Sequence, residues 1–256
     1  MNCYRMEEYN YDNGLLDVDA TYILHLEGNG RLPQIQEQLE QYHPSRKVYI
    51  VYNKGYKKCE KNLHENAPAI DLIDAFLTVF RDANLKKYKN IVVLEDDFQF
   101  HPDIKCDTIQ KEIADFMEEK DMLYYLGCLP YLRLPGKHSR VIMSTGMHAC
   151  IYTEQLRNRV LLDEEKLKLI KDWDVYHLLC SVKYGYHKPL CYQLFPDTEN
   201  SKLWKKNAGI ILNILIQLLN IDKKVEPGYT IMYTFSVLFF YLLLFLFLFM
   251  FFKCTK

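Results

Sequence analysis

Residues 90–98 read Asn-Ile-Val-Val-Leu-Glu-Asp-Asp-Phe (NIVVLEDDF), and the fold turns on how this stretch is read. Asn90 to Leu94 is a nearly continuous apolar run, the pattern of a strand covered on both faces, so it belongs at the centre of a sheet. Three carboxylates follow where that strand ends, and ligands of open α/β sheets bind at that edge. Extended geometry would turn Glu95 and Asp97 to one side and Asp96 to the other. Two hard oxygen donors facing one pocket suit Mg2+ or Mn2+ rather than zinc, and such an ion would neutralise a diphosphate and help it depart. The competing reading is an acidic, solvated turn after a strand.

Strand and helix signals alternate on both sides of this segment. Thr21 to Leu26 (TYILHL) and Lys47 to Tyr52 (KVYIVY) are short β-branched and aromatic runs that read as strands, with a surface helix over Pro33 to Tyr42 between them. Ala69 to Ala83 follows Pro68 and sets Ile70, Ile73, Leu77 and Phe80 at steps of three and four, one buried stripe of a crossover helix. Downstream, the pattern predicts a helix over Ile109 to Glu119 and a strand over Leu123 to Gly127. It predicts two short strands, Val141 to Met143 and Ala149 to Tyr152, flanking a loop, and helices over Glu154 to Lys171 and Trp173 to Val182, with Asp172 capping the second. This alternation predicts an α/β layer fold with a mostly parallel, Rossmann-like central sheet flanked by helices. The organisation follows as an N-terminal arm (1–19), one domain (20–205), an amphipathic or interfacial linker (206–228) and a transmembrane helix (229–252).

Composition supports one full core: 256 residues, 49% hydrophobic and 25% charged. The 32 Lys+Arg nearly cancel the 33 Asp+Glu, which removes the electrostatic footprint of a nucleic-acid binder. Tyr229 to Phe252 carries no charge and holds 8 of the 14 phenylalanines, a span of about 36 Å against a hydrocarbon core of about 30 Å. Residues 1–19 hold six charged side chains and no signal-peptide core, so a C-terminal single-pass anchor with a cytosolic domain is expected. Lys202, Lys205, Lys206, Lys223 and Lys224 before the span, against Lys253 and Lys256 after it, agree with that orientation. The eight cysteines stand at long, irregular spacings without zinc-ligand pairs, which suits reduced thiols; Cys254 is a weak acylation candidate.

VVLEDDF resembles the acidic metal-binding (DXD-like) motif of GT-A glycosyltransferases. Its setting is similar to glycosyltransferase family 25, the lipooligosaccharide and collagen galactosyltransferase group, and to related enzymes of large DNA viruses. Tyr22 to Leu26 resembles the opening strand of that family, and of its basic loop only Arg31 fits. Asp71 falls where members place the helix bordering the nucleotide. Leu126-Gly127-Cys128 and Ser144 to Tyr152 resemble the strand and small-residue loop that close the acceptor side, Asp172 to Tyr176 a later acidic element, and Gln193 to Trp204 the terminal segment.

The resemblance implies transfer of a hexose from a UDP-sugar to a hydroxyl of a glycan or protein, with inversion. Asp97 would hold Mn2+ or Mg2+, Glu95 would contact the ribose or reach the ion through water, and Asp96 would steady the loop or touch the donor sugar. An inverting enzyme needs a carboxylate to take the acceptor proton; Asp174 is the first candidate and Asp172 the second, although both fit equally as the cap and first-turn acid of a helix. His148, read as a loop residue, would donate to phosphate or acceptor. His177 would pair with Asp174, and His187 would be a distant third metal ligand. Two other classes stay open: a sugar-phosphate nucleotidyltransferase, disfavoured by a phosphate loop reduced to GNGR, and a catalytically degenerate, membrane-anchored binding subunit.

Overall fold

The structure, a computed structural model, describes residues 2–118, 120–195 and 210–254. Its first half contains β1 (Tyr4–Asn10), β2 (Ala20–Leu26), α1 (Leu32–Gln41), β3 (Lys47–Asn53), α2 (Pro68–Leu85), β4 (Asn90–Glu95), β5 (Phe98–Phe100), a 3-10 turn (Pro102–Lys105) and α3 (Asp107–Met117). The second contains β6 (Leu123–Arg133), β7 (His138–Thr153), α4 (Glu154–Leu162), α5 (Glu164–Ile170), α6 (Trp173–Cys180), β8 (Lys183–Tyr186), β9 (Cys191–Gln193), α7 (Ile210–Leu218) and α8 (Gly228–Cys254).

Ile91 to Leu94 of β4 are wholly buried, as their apolar run requires, and β4 lies mid-sheet in the order β1-β3-β2-β4-β7-β6-β8. Strands β3, β2 and β4 form a parallel group joined through the crossovers α1 and α2. Beyond it β7 runs antiparallel to both β4 and β6, and β8 lies parallel to β6. Alternation sends Tyr22, Leu24, Ile91 and Val93 into one apolar layer with Ile73, Phe76 and Phe80 of α2 and Trp173 of α6. Ile23, Val92 and Leu94 enter the opposite layer with Ile35 of α1 and Ile113 of α3. Each such side chain contributes about 1.5–3 kcal/mol of burial. The α/β fold with a parallel central group and flanking helices is therefore the one the alternation predicts.

Several boundaries differ. Residues 1–19 are not a free arm, because β1 pairs antiparallel with β3 and closes that edge of the sheet. Its charges, Arg5, Glu7 and Glu8, conceal a strand that packs Tyr4 and Met6 on the core while keeping an edge polar. The two short strands and loop expected over 141–152 are one 16-residue strand, β7, in which register shifts against β6 and the positive φ of Gly146 (77°) absorb the Ser-Thr-Gly sequence. The long helix expected over 154–171 breaks at Asp163 into α4 and α5.

Pairing of β1 with β3 also brings Cys3 to a disulfide with Cys59, Cα atoms 5.6 Å apart across 56 residues. This corrects the expectation of wholly reduced thiols, and a disulfide favours an oxidising compartment over the cytosol. Cys106, Cys128, Cys150, Cys180 and Cys191 are free.

Among the described residues, α8 is the one helix long and apolar enough to cross a membrane. It does not begin as a detached stalk. Tyr229, Met232, Tyr233 and Ser236, spaced as one helical stripe, are buried against the domain. The Arg133 guanidinium donates to Ser236 Oγ (2.8 Å) and to the carbonyls of Tyr233 (2.7 Å), Tyr186 (3.1 Å) and His187 (3.3 Å). Ile216 of α7 and Ile221 after it are also buried in the core. Lys202, Lys205, Lys206, the stretch 196–204 of the terminal segment and the side chain of Cys254 lie outside the described residues.

Candidate active site

The acidic cluster occupies the turn from β4 to β5, and its three carboxylates go to different partners. Asp96 is held inward by the loop after β2. It accepts from Leu26 N (3.1 Å) and from Asn29 Nδ2, pairs with the Arg31 guanidinium, and has His25 Nδ1 at 3.4 Å. Burial alone would raise its pKa, but His25, Arg31, Leu26 and Asn29 together hold it below the usual range. Asp96 is thus an ionised anchor for the β2–α1 loop, and Arg31 is spent on it while still lining the cleft described below.

Asp97 sits on the opposite side against β9. Its backbone carbonyl accepts from Leu194 N (2.7 Å) and its Oδ2 from Gln193 Nε2 (3.1 Å), while Oδ1 is buried with no hydrogen-bond partner. Burial first, and the charge of Asp96 second, push its pKa up to about 7, against the opposing pull of Arg31 and Gln193. Glu95 is pushed well above the carboxylate range by burial, then by the charges of Asp97, Asp174 and Asp96. Glu95 and Asp97 thus act on one another, but the charge of Asp96 raises both, and Asp96 and Asp97 lie in the turn beyond the end of β4, where strand alternation no longer applies.

Asp174 joins them from the first turn of α6. Its Oδ2 accepts from Gly146 N (3.1 Å) at the irregularity of β7, and burial, followed by the charge of Asp172, raises it to about 7. No ion pair joins Glu95, Asp97 or Asp174 to a cation among the described residues. Asp172, in contrast, is the N-cap of α6 and accepts from Val175 N (2.9 Å). Its carboxylate is occupied by the helix it starts, and the second candidate for general base is better explained as a cap.

The other expected site residues separate from this cluster. Asp71 accepts from Lys61 Nζ (2.5 Å) and Asn53 Nδ2 (2.9 Å) in a buried network at the end of β3, so both of its oxygens are already engaged. His148 is not in a loop: it lies within β7, wholly buried, its ring nitrogens 3.1 Å from the Gly146 carbonyl and 3.4 Å from that of Cys191. Burial lowers its pKa to about 4, so it is a neutral packing residue. His177 does not pair with Asp174; its Nδ1 meets Ser181 Oγ (2.6 Å) in an aromatic pocket with Trp173. The His187 carbonyl accepts from Arg133 Nη2 (3.3 Å), the side chain that also bonds α8 at Ser236. Among the described residues no group of three or more His, Cys, Asp or Glu is placed to hold a metal ion.

Beside Asp97 opens a cleft of about 580 Å³. It is lined by Gly30 and Arg31 of the β2–α1 loop, Gln34 of α1, Phe195, and Lys223 and Lys224 of the turn before α8. Gln193, Lys223 and Lys224 are the side chains at this cleft or cluster to which the sequence reading gave no site role. A glutamine carries no signal by itself, and the two lysines read as a membrane flank because nothing local shows that the turn folds back over the acidic cluster.

Asp97 offers a desolvated oxygen without a partner, Glu95 and Asp174 add further carboxyl groups, and Lys223 and Lys224 line the cleft that Asp97 also lines. Asp97 and Glu95 are the residues that would hold a hard divalent cation. The lysines fit a phosphate-bearing ligand.

No protein-family model matches the chain, and no curated protein matches it in sequence. Solved structures do: 31 chains match. One is the A197 protein from STIV, with TM-score 0.43 and 16% identity over 69% of this chain and 85% of that one. Another is a glycosyltransferase involved in glycosylation of the major capsid of PBCV-1, with TM-score 0.40 and 8% identity over 72% of this chain and 95% of that one.

Proposed function

We propose that this chain is a membrane-anchored, divalent-cation-dependent glycosyltransferase that moves a hexose from a UDP-sugar to a hydroxyl acceptor on a glycan or protein. The observation that carries the reading is the buried, unpartnered Oδ1 of Asp97 beside Glu95 and Asp174 at the wall of a cleft. A buried acceptor oxygen with uncompensated charge around it is costly unless a ligand completes it. A bound Mn2+ or Mg2+ would supply charge to stabilise the departing diphosphate.

The residues of the chain then divide the work. Asp97 and Glu95 would hold the cation. Asp96 keeps the β2–α1 loop in place through Asn29 and Arg31, and Lys223 and Lys224 would bind the phosphates. Asp174, fixed by Gly146 N and with its pKa near 7, takes the acceptor proton in an inverting displacement. α8 anchors the domain in the bilayer.

The test is turnover by the full chain in detergent or vesicles with UDP-hexoses and Mn2+. Mn2+-dependent release of UDP, abolished by Asp97→Ala in a folded protein, is the expected result. Binding of no uridine nucleotide in the presence of Mn2+ would overturn it and favour the degenerate binding subunit. Release of pyrophosphate from UTP and a hexose phosphate would instead identify a nucleotidyltransferase.

A further inference from the structure

β9 stands between the acidic cluster and the first turn of α8, and its last residue, Gln193, bonds to both. In the antiparallel pair of β5 and β9, Leu194 N donates to the Asp97 carbonyl (2.7 Å) and His101 N to that of Leu190 (2.9 Å). Hydrogen-bonded pairs recur at every second residue, so Gln193, opposite Phe98, is at an intervening position whose N–H and C=O turn away from β5. The Tyr229 hydroxyl fills that outer side. It accepts from Gln193 N (2.8 Å) and donates to Gln193 O (3.5 Å), although Tyr229 lies 36 residues later in the chain. Tyr229 is itself wholly buried, so its hydroxyl depends on Gln193 as much as Gln193 depends on it.

The side chain of the same residue reaches the acidic site. Its Nε2 donates to Asp97 Oδ2 (3.1 Å), which fixes the carboxylate so that Oδ1 is the oxygen left without a partner. Its Oε1 lies against Gly146, where an added Cβ would stand 3.0 Å away, and Gly146 N is the group that holds Asp174 Oδ2. The Gln193 amide thus sits between the carboxylate read as a cation ligand and the backbone that holds Asp174. Two further contacts tie the start of α8 to β9. Tyr192 donates its hydroxyl to Glu226 Oε1 (2.8 Å), and the rings of Tyr192 and Tyr229 meet edge to face with centroids 5.0 Å apart. Lys223 and Lys224, in the turn before α8, line the cleft beside Asp97.

We propose that Tyr229 and Gln193 are positioning residues of the cation site: the first turn of α8 holds the backbone of β9, and β9, through the Gln193 amide, holds Asp97 with Oδ1 free for the ion. The helix that composition marks as an anchor is then also a part of the site. This rests on the reading of Asp97 as a cation ligand; neither Tyr229 nor Gln193 is itself a ligand. A donor bound to one carboxylate oxygen restricts the orientation of the whole group, and losing such a partner costs about 10–100-fold in metal affinity. Gln193→Ala removes the donor directly, and Tyr229→Phe displaces it by releasing the strand that carries it. Because both changes act along one chain of contacts, their effects do not add.

The test is titration of the full chain in detergent with Mn2+ alone, the free ion being counted by its electron paramagnetic resonance signal, so that no turnover is needed. Gln193→Ala and Tyr229→Phe are each expected to weaken Mn2+ binding about 10–100-fold, and the double variant no further than the more affected single one. Tyr233→Phe is the control. It removes another buried hydroxyl from the same helix, one whose neighbour is Cys128 Sγ (3.8 Å) rather than β9, and it should leave Mn2+ affinity at the wild-type value. Wild-type affinity in Tyr229→Phe, or equal losses in Tyr229→Phe and Tyr233→Phe, would overturn the positioning role while leaving Asp97 as a ligand. If Tyr229→Phe does not fold, Gln193→Ala, which keeps both backbone bonds to Tyr229, decides the matter: undiminished Mn2+ binding in it would overturn the proposal. A wild type that binds no Mn2+ would overturn the cation reading and the positioning role together.

Discussion

Replacing Asp97 by Asn should stabilise the apo protein at alkaline pH while abolishing its response to divalent cations. Asp97 has a folded pKa of about 7 against an ordinary 3.8. The raised value means that the folded state holds the proton more tightly than the unfolded one, so stability is greatest below the unfolded pKa and falls as pH rises towards 7. Complete ionisation therefore costs the folded state at most about 4 kcal/mol at pH 8. Asn removes that charge and keeps an oxygen for Gln193, but puts an amide where Oδ1 has no partner, at a cost of about 1–3 kcal/mol. The net gain at pH 8 is about 1–3 kcal/mol, or several degrees of Tm. At pH 5 the acid is protonated when folded and ionised when unfolded, which leaves a penalty of about 1.5 kcal/mol; the amide cost of about 1–3 kcal/mol offsets it, and the gain should vanish.

The assay is thermal unfolding of wild type and Asp97→Asn at pH 5 and pH 8, each with and without Mn2+. The expected pattern is a variant more stable than wild type only at pH 8, with Mn2+ raising the Tm of the wild type alone. A variant equally destabilised at both pH values would refute the argument from buried charge. A Tm rise of the same size with Mn2+ in both proteins would show that the cation binds elsewhere.

Asp174→Asn should lower kcat about 10²–10⁴-fold while retaining the fold, since its amide oxygen can still accept from Gly146; Asp172→Ala should cost about 1 kcal/mol of stability, seen in denaturant titration, and leave kcat near wild type. The double change Lys223→Ala with Lys224→Ala should weaken UDP binding roughly tenfold by titration calorimetry, with little effect on Mn2+ affinity measured alone. Gly127→Ala should yield misfolded protein on expression, because the added methyl would lie 1.8 Å from the Cys191 carbonyl oxygen and meet His148 at 2.8 Å; recovery of soluble, monodisperse Gly127→Ala would contradict this packing.

What the sequence determined by itself was local and periodic. An unbroken apolar run marks a strand buried on both faces, a three-four stripe marks α2, and 24 uncharged residues mark α8, because burial follows from the order of residues within one element. Whatever depends on contact between distant segments was decided only by the tertiary structure. The order of residues gives no sign that Cys3 bonds Cys59, that β1 closes an edge, that Gly146 lets Ser144 to His148 remain in a strand, or that Asp174 meets Glu95 while Asp71 is taken by Lys61. The same holds for α8: hydropathy marks a helix able to span a bilayer, but its first two turns belong to the domain because Arg133, 103 residues earlier, reaches Ser236.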